Sequence, residues 1–552
     1  MKKIVLLIIA AIIVGVGIGG YITFEGRIAP KPQVDIGKCG DNVCDLFEKA
    51  NPNACPKDCL SAQSSESQQS SSISDLILPP SSSSSLSKRS SSHSNEIPPS
   101  SSSSSSSAVK QSSSRAPTLS SSFYSPFGFH ENLAKEDYFT DIEAKWVRLS
   151  GPVGMVWDAD EPELGKFDWN RLDGIVNYYS KVADNIILSV NSFNKRDQEA
   201  SNSPKHKIPN DLESYANFLK TAAKRYPQVK YWQIENEPAN EWADTPENLA
   251  KLVQVSAKAI KEAAPKAKIL LAGAAVPGEF EYFYNPLLKK LKNLEQQDGN
   301  KYLDAVDFHW SGQFENKDKT QATYRKVIIS GRNYDYKTEI KTIRKILDES
   351  GYDGAEIWVT EMSDYSGKPS DSAYLYQSEK EQAGELFKRY VYSLAVGVRK
   401  IFWIALMESH DYGGSGVNNY WDNIGLVNNP QNDGESHKKL GYYTYKKMVE
   451  VLEGSDWDNI ETIQETGGMY VYKFIKNSQP VWVAWNDNAG EKQITISGIN
   501  SSSVKITEAV PNYESGKEVK DYATAFKMET KQIINNKLTI ILNETPVFVE
   551  GN

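Results

Sequence analysis

KYWQIENEP at 230–238, ENLAKLVQVSAKAIKEAA at 247–264 and AKILLAGAAV at 267–276 read as a strand, an amphipathic helix and a second strand. A strand that returns through a helix pairs with its successor in parallel. The same alternation extends in both directions. Apolar runs recur as FGFHEN (127–132), KWVRLSG (145–151), NIILSVNSF (185–193), AVDFHW (305–310), EIWVTEM (356–362) and KIFWIALME (400–408). Helical stretches such as LESYANFLKTAAKRY (212–226), SEKEQAGELFKRYVYSLAVG (378–397) and HKKLGYYTYKKMVEVLEG (437–454) lie among them. Strand and helix alternating eight times predict an α/β fold, a closed (β/α)8 TIM barrel over 123–454. The strand runs do not alternate strictly, as expected when helices cover the outside.

After 455 the helical signal ends. MYVYKFIK (469–476), PVWVAWND (480–487), KQITISG (492–498), KLTIILN (537–543) and TPVFVEG (545–551) are strand-like. They predict a small C-terminal β-sandwich over 455–552.

The chain begins differently. Residues 1–27 carry Lys2 and Lys3, then a nearly unbroken apolar run from Ile4 to Phe24. A bilayer span needs about 20 apolar residues, and signal-peptide cores are shorter. The run is read as a membrane anchor, with a cleaved signal as the other reading. Either exports the rest of the chain, so the expected location is extracytoplasmic, at the cell surface. All four cysteines, Cys39, Cys44, Cys55 and Cys59, fall in the segment 28–60. Outside the cytosol they suggest two disulfides, with a four-thiolate zinc site as the rival. The string CGDNVCDLFEKANPNACPKDC resembles small cysteine-rich repeats of exported microbial proteins; calcium binding and a stapled spacer both remain open. From 61 to 122 serine dominates, which predicts a disordered stalk.

The formal net charge of −9 lacks the basic excess that a nucleic-acid partner requires. No G-x-S-x-G is present and every cysteine lies outside the barrel, which disfavours a Ser or Cys nucleophile. There is no H-E-x-x-H among the scattered histidines, so neither a catalytic metal nor another cofactor is expected.

Barrel chemistry sits where the strands end. The fourth strand ends in Gln233-Ile234-Glu235-Asn236-Glu237-Pro238, and the seventh in Trp358-Val359-Thr360-Glu361-Met362. Those strands lie on opposite sides of the mouth, so Glu237 and Glu361 face each other across it. Cleaving a glycosidic bond needs such a pair, one carboxyl protonated and one ionised. A lone glutamate at a strand end is more often a solvated or salt-bridged residue. Two of them on the right strands are the stronger signal.

From Phe123 to about Gly454 the chain resembles the clan A glycoside hydrolases, loosely their family 39 members. Asn236-Glu237-Pro238 carries the likeness, and WVRLSGPVGMVWDADEPELGKFDWNRLDGIV (146–176) is similar to their strand 2 to helix 2 region. The resemblance implies a retaining enzyme with Glu237 as acid/base and Glu361 as nucleophile. It implies that Asn236 donates to the sugar 2-hydroxyl, that Arg148 holds the nucleophile ionised, and that Trp403 floors the −1 subsite. His309 fits a position that orients the site. Relatives place a tyrosine two residues after that histidine; here Ser311 stands there, preceded by Trp310, and Tyr365 is the proposed substitute. Asn191 ends the third strand facing the sugar. Glu235 stands where many relatives have tryptophan, and either tunes the acid or pairs with a cation. Trp157, Trp169 and Trp421 are read as sugar platforms or as core. The expected activity is hydrolysis of β-linked poly- or oligosaccharides by double displacement. A non-catalytic carbohydrate-binding adhesion protein and a transglycosylase are the alternatives.

Overall fold

The structure, a computed structural model, describes residues 125–551 apart from 131–135, 199–205, 312–323, 330–331, 372–373, 413, 415 and 434–436. The anchor, the cysteines and the serine-rich stalk lie outside the described residues. Among those described, no helix is long and apolar enough to cross a membrane.

Eight strands form the barrel: β1 Phe127–His130, β2 Trp146–Leu149, β3 Asn185–Asn191, β4 Val229–Ile234, β5 Lys268–Ala274, β6 Ala305–Ser311, β7 Glu356–Ser363 and β8 Lys400–Ile404. Each pairs in parallel with the next, and β8 pairs with β1 to close the ring. The main helices, beside a few single turns, are α1 Glu136–Asp141, α2 Asn170–Val182, α3 Leu212–Arg225, α4 Pro246–Ala263, α5 Asn285–Asp298, α6 Tyr336–Glu349, α7 Glu379–Ala395 and α8 Leu440–Leu452. An antiparallel hairpin, Lys326–Ile329 with Arg332–Asp335, precedes α6; its strands are too short to give a periodic signal.

Strand side chains alternate between two faces, so inward residues stack in layers two positions apart. The floor consists of Trp146, Ile187, Tyr231, Leu270, Ala305, Trp358 and Phe402, one from each strand but β1. β1 supplies Gly128 there, because a Cβ would fall 2.6 Å from the Phe402 ring. Lys400 lies beneath, its Nζ 5.2 Å from the Trp146 ring and 5.9 Å from that of Trp358. Two residues further on come Arg148, Gln233, Asp307 and Thr360, all buried and all polar. His130, two residues after Gly128, stands in this layer beside Arg148, and the next step brings Glu235 and His309 to the mouth. The intervening side chains, such as Phe129, Val147, Leu188, Trp232 and Ile234, face outward into the core shared with the helices.

The C-terminal part holds β9 Glu461–Thr466, β10 Met469–Lys476, β11 Gln479–Asn486, β12 Lys492–Ser497, β13 Ser503–Glu508, β14 Met528–Gln532, β15 Lys537–Leu542 and β16 Val547–Gly551. Six form one sheet in the order β9-β10-β11-β16-β13-β14, and β12 pairs with β15. On β10, Met469 and Val471 enter the core between these two sheets, while Tyr470, Tyr472 and Phe474 belong to the barrel-side core. Both faces of β10 are therefore buried over Met469–Tyr472, which is why that stretch is apolar without alternation.

The barrel and sandwich meet on Asp487. Its carboxylate accepts from the Tyr324 hydroxyl at 2.6 Å and from Lys388 Nζ at 3.1 Å, with Arg325 Nη2 at 3.3 Å. Phe387 of α7 meets Phe548 of β16 edge-on at 5.1 Å. Asp487→Ala leaves buried Lys388 with only the more distant Glu385, 3.9 Å away, as a counter-charge, so we expect a loss on the order of 3 kcal/mol. The denaturant midpoint of the purified barrel and sandwich is the measurement; an unchanged midpoint would mean that apolar packing alone joins the two parts.

Candidate active site

Glu361 reaches the mouth through a β-bulge. The register of β7 slips between Val359 and Glu361 against β6, and between Val359 and Met362 against β8. A bulge sets an extra residue against its partner strand and re-aims the side chains. Thr360 and Glu361, adjacent in sequence, therefore both point inward. Glu361 Oε1 accepts from Arg148 Nη1 at 2.7 Å; His130 Nδ1 lies 3.4 Å from the same oxygen, and His309 Nδ1 lies 3.6 Å from Oε2. Burial alone would raise this carboxyl's pKa. The charge of His309, the hydrogen bond and charge of His130, and Arg148 together hold it well below the usual carboxylate range. Glu361 is therefore an anion at any pH near neutrality.

Glu237 leaves β4 through a bend in which Glu235 and Glu237 take left-handed φ values of 66° and 39°. Such conformations are strained for residues other than glycine and must be held by their surroundings. Glu235 is held by Ser192 N, which donates to its Oε1 at 2.8 Å, and by His206 Nδ1 at 3.1 Å from Oε2. It thus pairs with a histidine. Glu237 Oε1 lies 2.7 Å from His309 Nδ1. The Glu237 side chain is 27% exposed, against 12% for Glu361. One oxygen from each of Glu237 and Glu361, together with a nitrogen of His309, lie within 4.8 Å of one another.

The same three atoms could converge on a cation. Arg148 and a protonated His309 already supply positive charge to both carboxylates, so the geometry does not require one.

Arg148, fully buried, ties the mouth together. Its Nη2 donates to Asn236 Oδ1 at 2.6 Å and its Nε to Gln233 Oε1 at 2.7 Å, while Nη1 lies 3.1 Å from His130 Nδ1. The contact on Asn236 takes up the amide oxygen and turns the amide nitrogen away from Arg148 as a donor. Two histidines on one carboxylate are driven in opposite directions. Burial, then Arg148, lower the pKa of His130. Burial also works against the charge on His309, but Glu361 and Glu237 outweigh it and raise that pKa to about 9.

A raised histidine pKa stabilises the fold in full below the unfolded value near 6.5, and that contribution disappears as pH rises through about 9. We expect His309 to supply about 3 kcal/mol at pH 6 that is absent by pH 10. The check is the unfolding free energy of wild type minus that of His309→Gln across this range; a difference that does not shrink would mean that His309 is neutral.

Asn191, at the end of β3, lies on the rim. Its Nδ2 is 3.3 Å from His206 Nε2, and its Oδ1 accepts from Phe193 N at 3.0 Å. Three expected site residues are placed elsewhere. Trp403 follows the inward Phe402 and so points outward; it is fully buried in the outer core and its indole donates to Ile424 O at 3.0 Å. Trp310, between the inward His309 and Ser311, also faces out, edge-on to Tyr336 of α6 at 4.8 Å. Tyr365 gives its hydroxyl to Leu375 O at 2.7 Å. Trp157 and Trp169 are core partners of Phe218. Trp421, partly exposed, packs with Tyr412 at 5.6 Å in a cluster over the ends of β7 and β8.

Sequence reasoning misses His130, and two acids as well. Glu241, four residues after Glu237, has its pKa raised to about 7 by burial and by the charge of Glu237. Glu279, fully buried after β5, has its pKa raised to about 8 by burial and again by Glu237. His130 shows no local signal. It is found only by pairing β1 with β2, which sets it beside Arg148.

No protein-family model matches the chain, and no curated protein does. Solved structures do. A family 39 glycoside hydrolase from Bacteroides cellulosilyticus WH2 aligns with a TM-score of 0.56 at 17% identity, over 76% of this chain and 78% of that one. An α-L-arabinofuranosidase from Thermotoga maritima gives 0.51 at 11% identity, over 75% and 89%. CelM2, a bifunctional glucanase-xylanase from a metagenome library, gives 0.52 at 11%, over 78% and 97%. At such identities the likeness is one of fold, a (β/α)8 barrel that these glycoside hydrolases share with this chain.

Proposed function

We propose that the chain is a retaining glycoside hydrolase acting on β-linked poly- or oligosaccharides. The observation that carries this is the opposed pair: carboxyl oxygens of Glu237 and Glu361 within 4.8 Å of each other, one carboxylate buried against Arg148 and the other more open to solvent. Retaining pairs stand about 5–5.5 Å apart, whereas an inverting pair needs about 6.5–9.5 Å to admit water.

In this reading Glu361 attacks the anomeric carbon and forms a covalent glycosyl ester. Arg148 keeps it ionised and fixes the oxygen it holds. Glu237 protonates the leaving oxygen, then takes a proton from the water that hydrolyses the ester. Asn236, its amide oxygen on Arg148, offers its nitrogen to the sugar 2-hydroxyl. Retention is tested by proton NMR of the first product from a panel of aryl glycosides. The panel includes an α-L-arabinofuranoside, because a protein of similar fold acts on that linkage. A product of the same anomeric configuration as the substrate supports the reading. An inverted product, or no turnover of any glycoside, rejects it.

We further propose that the enzyme works outside the cytoplasm, held to the membrane by residues 1–27. The support is the apolar run from Ile4 to Phe24, preceded by Lys2 and Lys3 and long enough to span a bilayer. The expected result is that the full chain fractionates with membranes. A soluble product lacking the first 20 to 30 residues, about the length of a signal peptide, would refute the anchor.

A further inference from the structure

We propose that the proton used by the acid/base resides in the hydrogen bond between His309 Nδ1 and Glu237 Oε1, and that a chain of hydrogen bonds of fixed direction, Arg148–Gln233–Asp307–Thr360, keeps it there. The proposal rests on the roles given above to Glu237 and Glu361.

The direction is set by donor and acceptor inventories. An arginine only donates, so the atom that Arg148 Nε meets at 2.7 Å must be the Gln233 amide oxygen. The Gln233 amide nitrogen therefore faces Asp307 and donates to its Oδ2, at 2.5 Å. Thr360 Oγ1 meets the same Oδ2 at 2.5 Å. Burial raises the pKa of Asp307 while the charges of His309 and Arg148 oppose that rise; as a carboxylate it only accepts, so Oδ2 accepts twice and the single hydroxyl hydrogen of Thr360 is committed to it. Thr360 can then only accept from His309 Nε2, 3.2 Å away. Nε2 therefore carries a hydrogen. The remaining ring nitrogen, Nδ1, lies 2.7 Å from Glu237 Oε1, a hydrogen-bond distance that requires one proton between them.

That single proton is the one the first step consumes. At rest it lies toward Nδ1, giving an imidazolium that bridges two carboxylates, in keeping with the raised pKa of His309. As Glu361 bonds to the anomeric carbon, the bond from that carbon to the leaving oxygen breaks and its electron pair stays on the oxygen. That oxygen takes the proton from Glu237 Oε1, and Nδ1 is left bare. Forming the ester also removes the charge of Glu361 that held the imidazolium. In the second step water attacks the anomeric carbon, the ester bond breaks, and its pair restores the Glu361 carboxylate. The proton that water loses returns through Glu237 to Nδ1. Gly273 makes room for this chain: a Cβ there would fall 2.5 Å from His309 Nε2.

Gln233, Asp307 and Thr360 are thus positioning residues, buried beneath the substrate. Two measurements on the full chain test them. In Thr360→Val the side-chain volume stays and the acceptor is lost. kcat/KM for alkyl glycosides, whose leaving groups need the proton, should fall about 100-fold. That for a dinitrophenyl glycoside, which needs little protonation, should fall by less than about threefold, and Thr360→Ser should restore the first value. An equal loss on both substrates overturns the proposal. The second measurement needs no variant. 15N-histidine NMR near pH 7 should show both nitrogens of His309 protonated in the free enzyme. It should show Nε2 alone protonated once a 2-fluoro glycoside has trapped the ester on Glu361. A His309 protonated on Nδ1 but not on Nε2, or unchanged by trapping, overturns the proposal. A reagent that labels no glutamate at all would instead reject the retaining mechanism itself.

Discussion

Glu361→Ala is expected to lower kcat/KM by about 10⁵-fold, because losing a nucleophile removes the covalent route and leaves only binding and electrostatics. The site's own charges shape what remains. Arg148 keeps Gln233 and Asn236 as partners when the carboxylate is gone, so the mouth should hold its form and the unfolding midpoint should drop modestly. His309 loses one of the charges that favour its cation. The variant then presents Arg148 and a vacant anionic site to solvent. Azide should enter there, attack the anomeric carbon from the nucleophile's side, and turn a β-glycoside into an α-glycosyl azide. Rescue of activated aryl glycosides, with that product identified by NMR, is the measurement. Near-normal activity in Glu361→Ala would mean that another residue attacks.

Strand geometry decides how much of this site is legible in the sequence. Glu237, Arg148 and His309 are legible because each ends a strand whose length and order the alternating pattern already sets. Glu361 is legible from its place on the seventh strand, though not from strand parity. Counting inward positions from Trp358 gives Thr360, and only the bulge turns Glu361 to the same side. The tryptophans fail for the complementary reason. Phe402 and Trp403 are adjacent, both aromatic and both buried, so composition cannot say which faces the mouth; the paired register of β8 does. Trp310 fails likewise, next to His309. The polar layer of Gln233, Asp307 and Thr360 is invisible because each residue sits inside a run that reads as an apolar strand. Its meaning appears only when three strands are in register.

Glu237→Ala is expected to separate substrates by their leaving groups. A general acid contributes roughly 10²–10⁴-fold when the departing oxygen needs a proton. For an alkyl glycoside the first step should therefore slow by about 10³-fold. For a dinitrophenyl glycoside the departing anion is stable unaided, and Glu361, still flanked by Arg148 and His130, attacks as before. The second step slows for both, because no base remains to deprotonate water. On the activated substrate, then, a burst of dinitrophenol equal to the enzyme concentration should precede slow turnover, and the glycosyl ester on Glu361 should accumulate enough for mass spectrometry. Added azide needs no base, so it should attack the ester directly and give a β-glycosyl azide, the opposite anomer from that expected with Glu361→Ala. The two adducts together read out which face each carboxylate guards. A burst without azide rescue would place the base elsewhere. An equal loss on every leaving group would mean that Glu237 shapes the pocket, through its left-handed backbone and its bond to His309, without passing a proton.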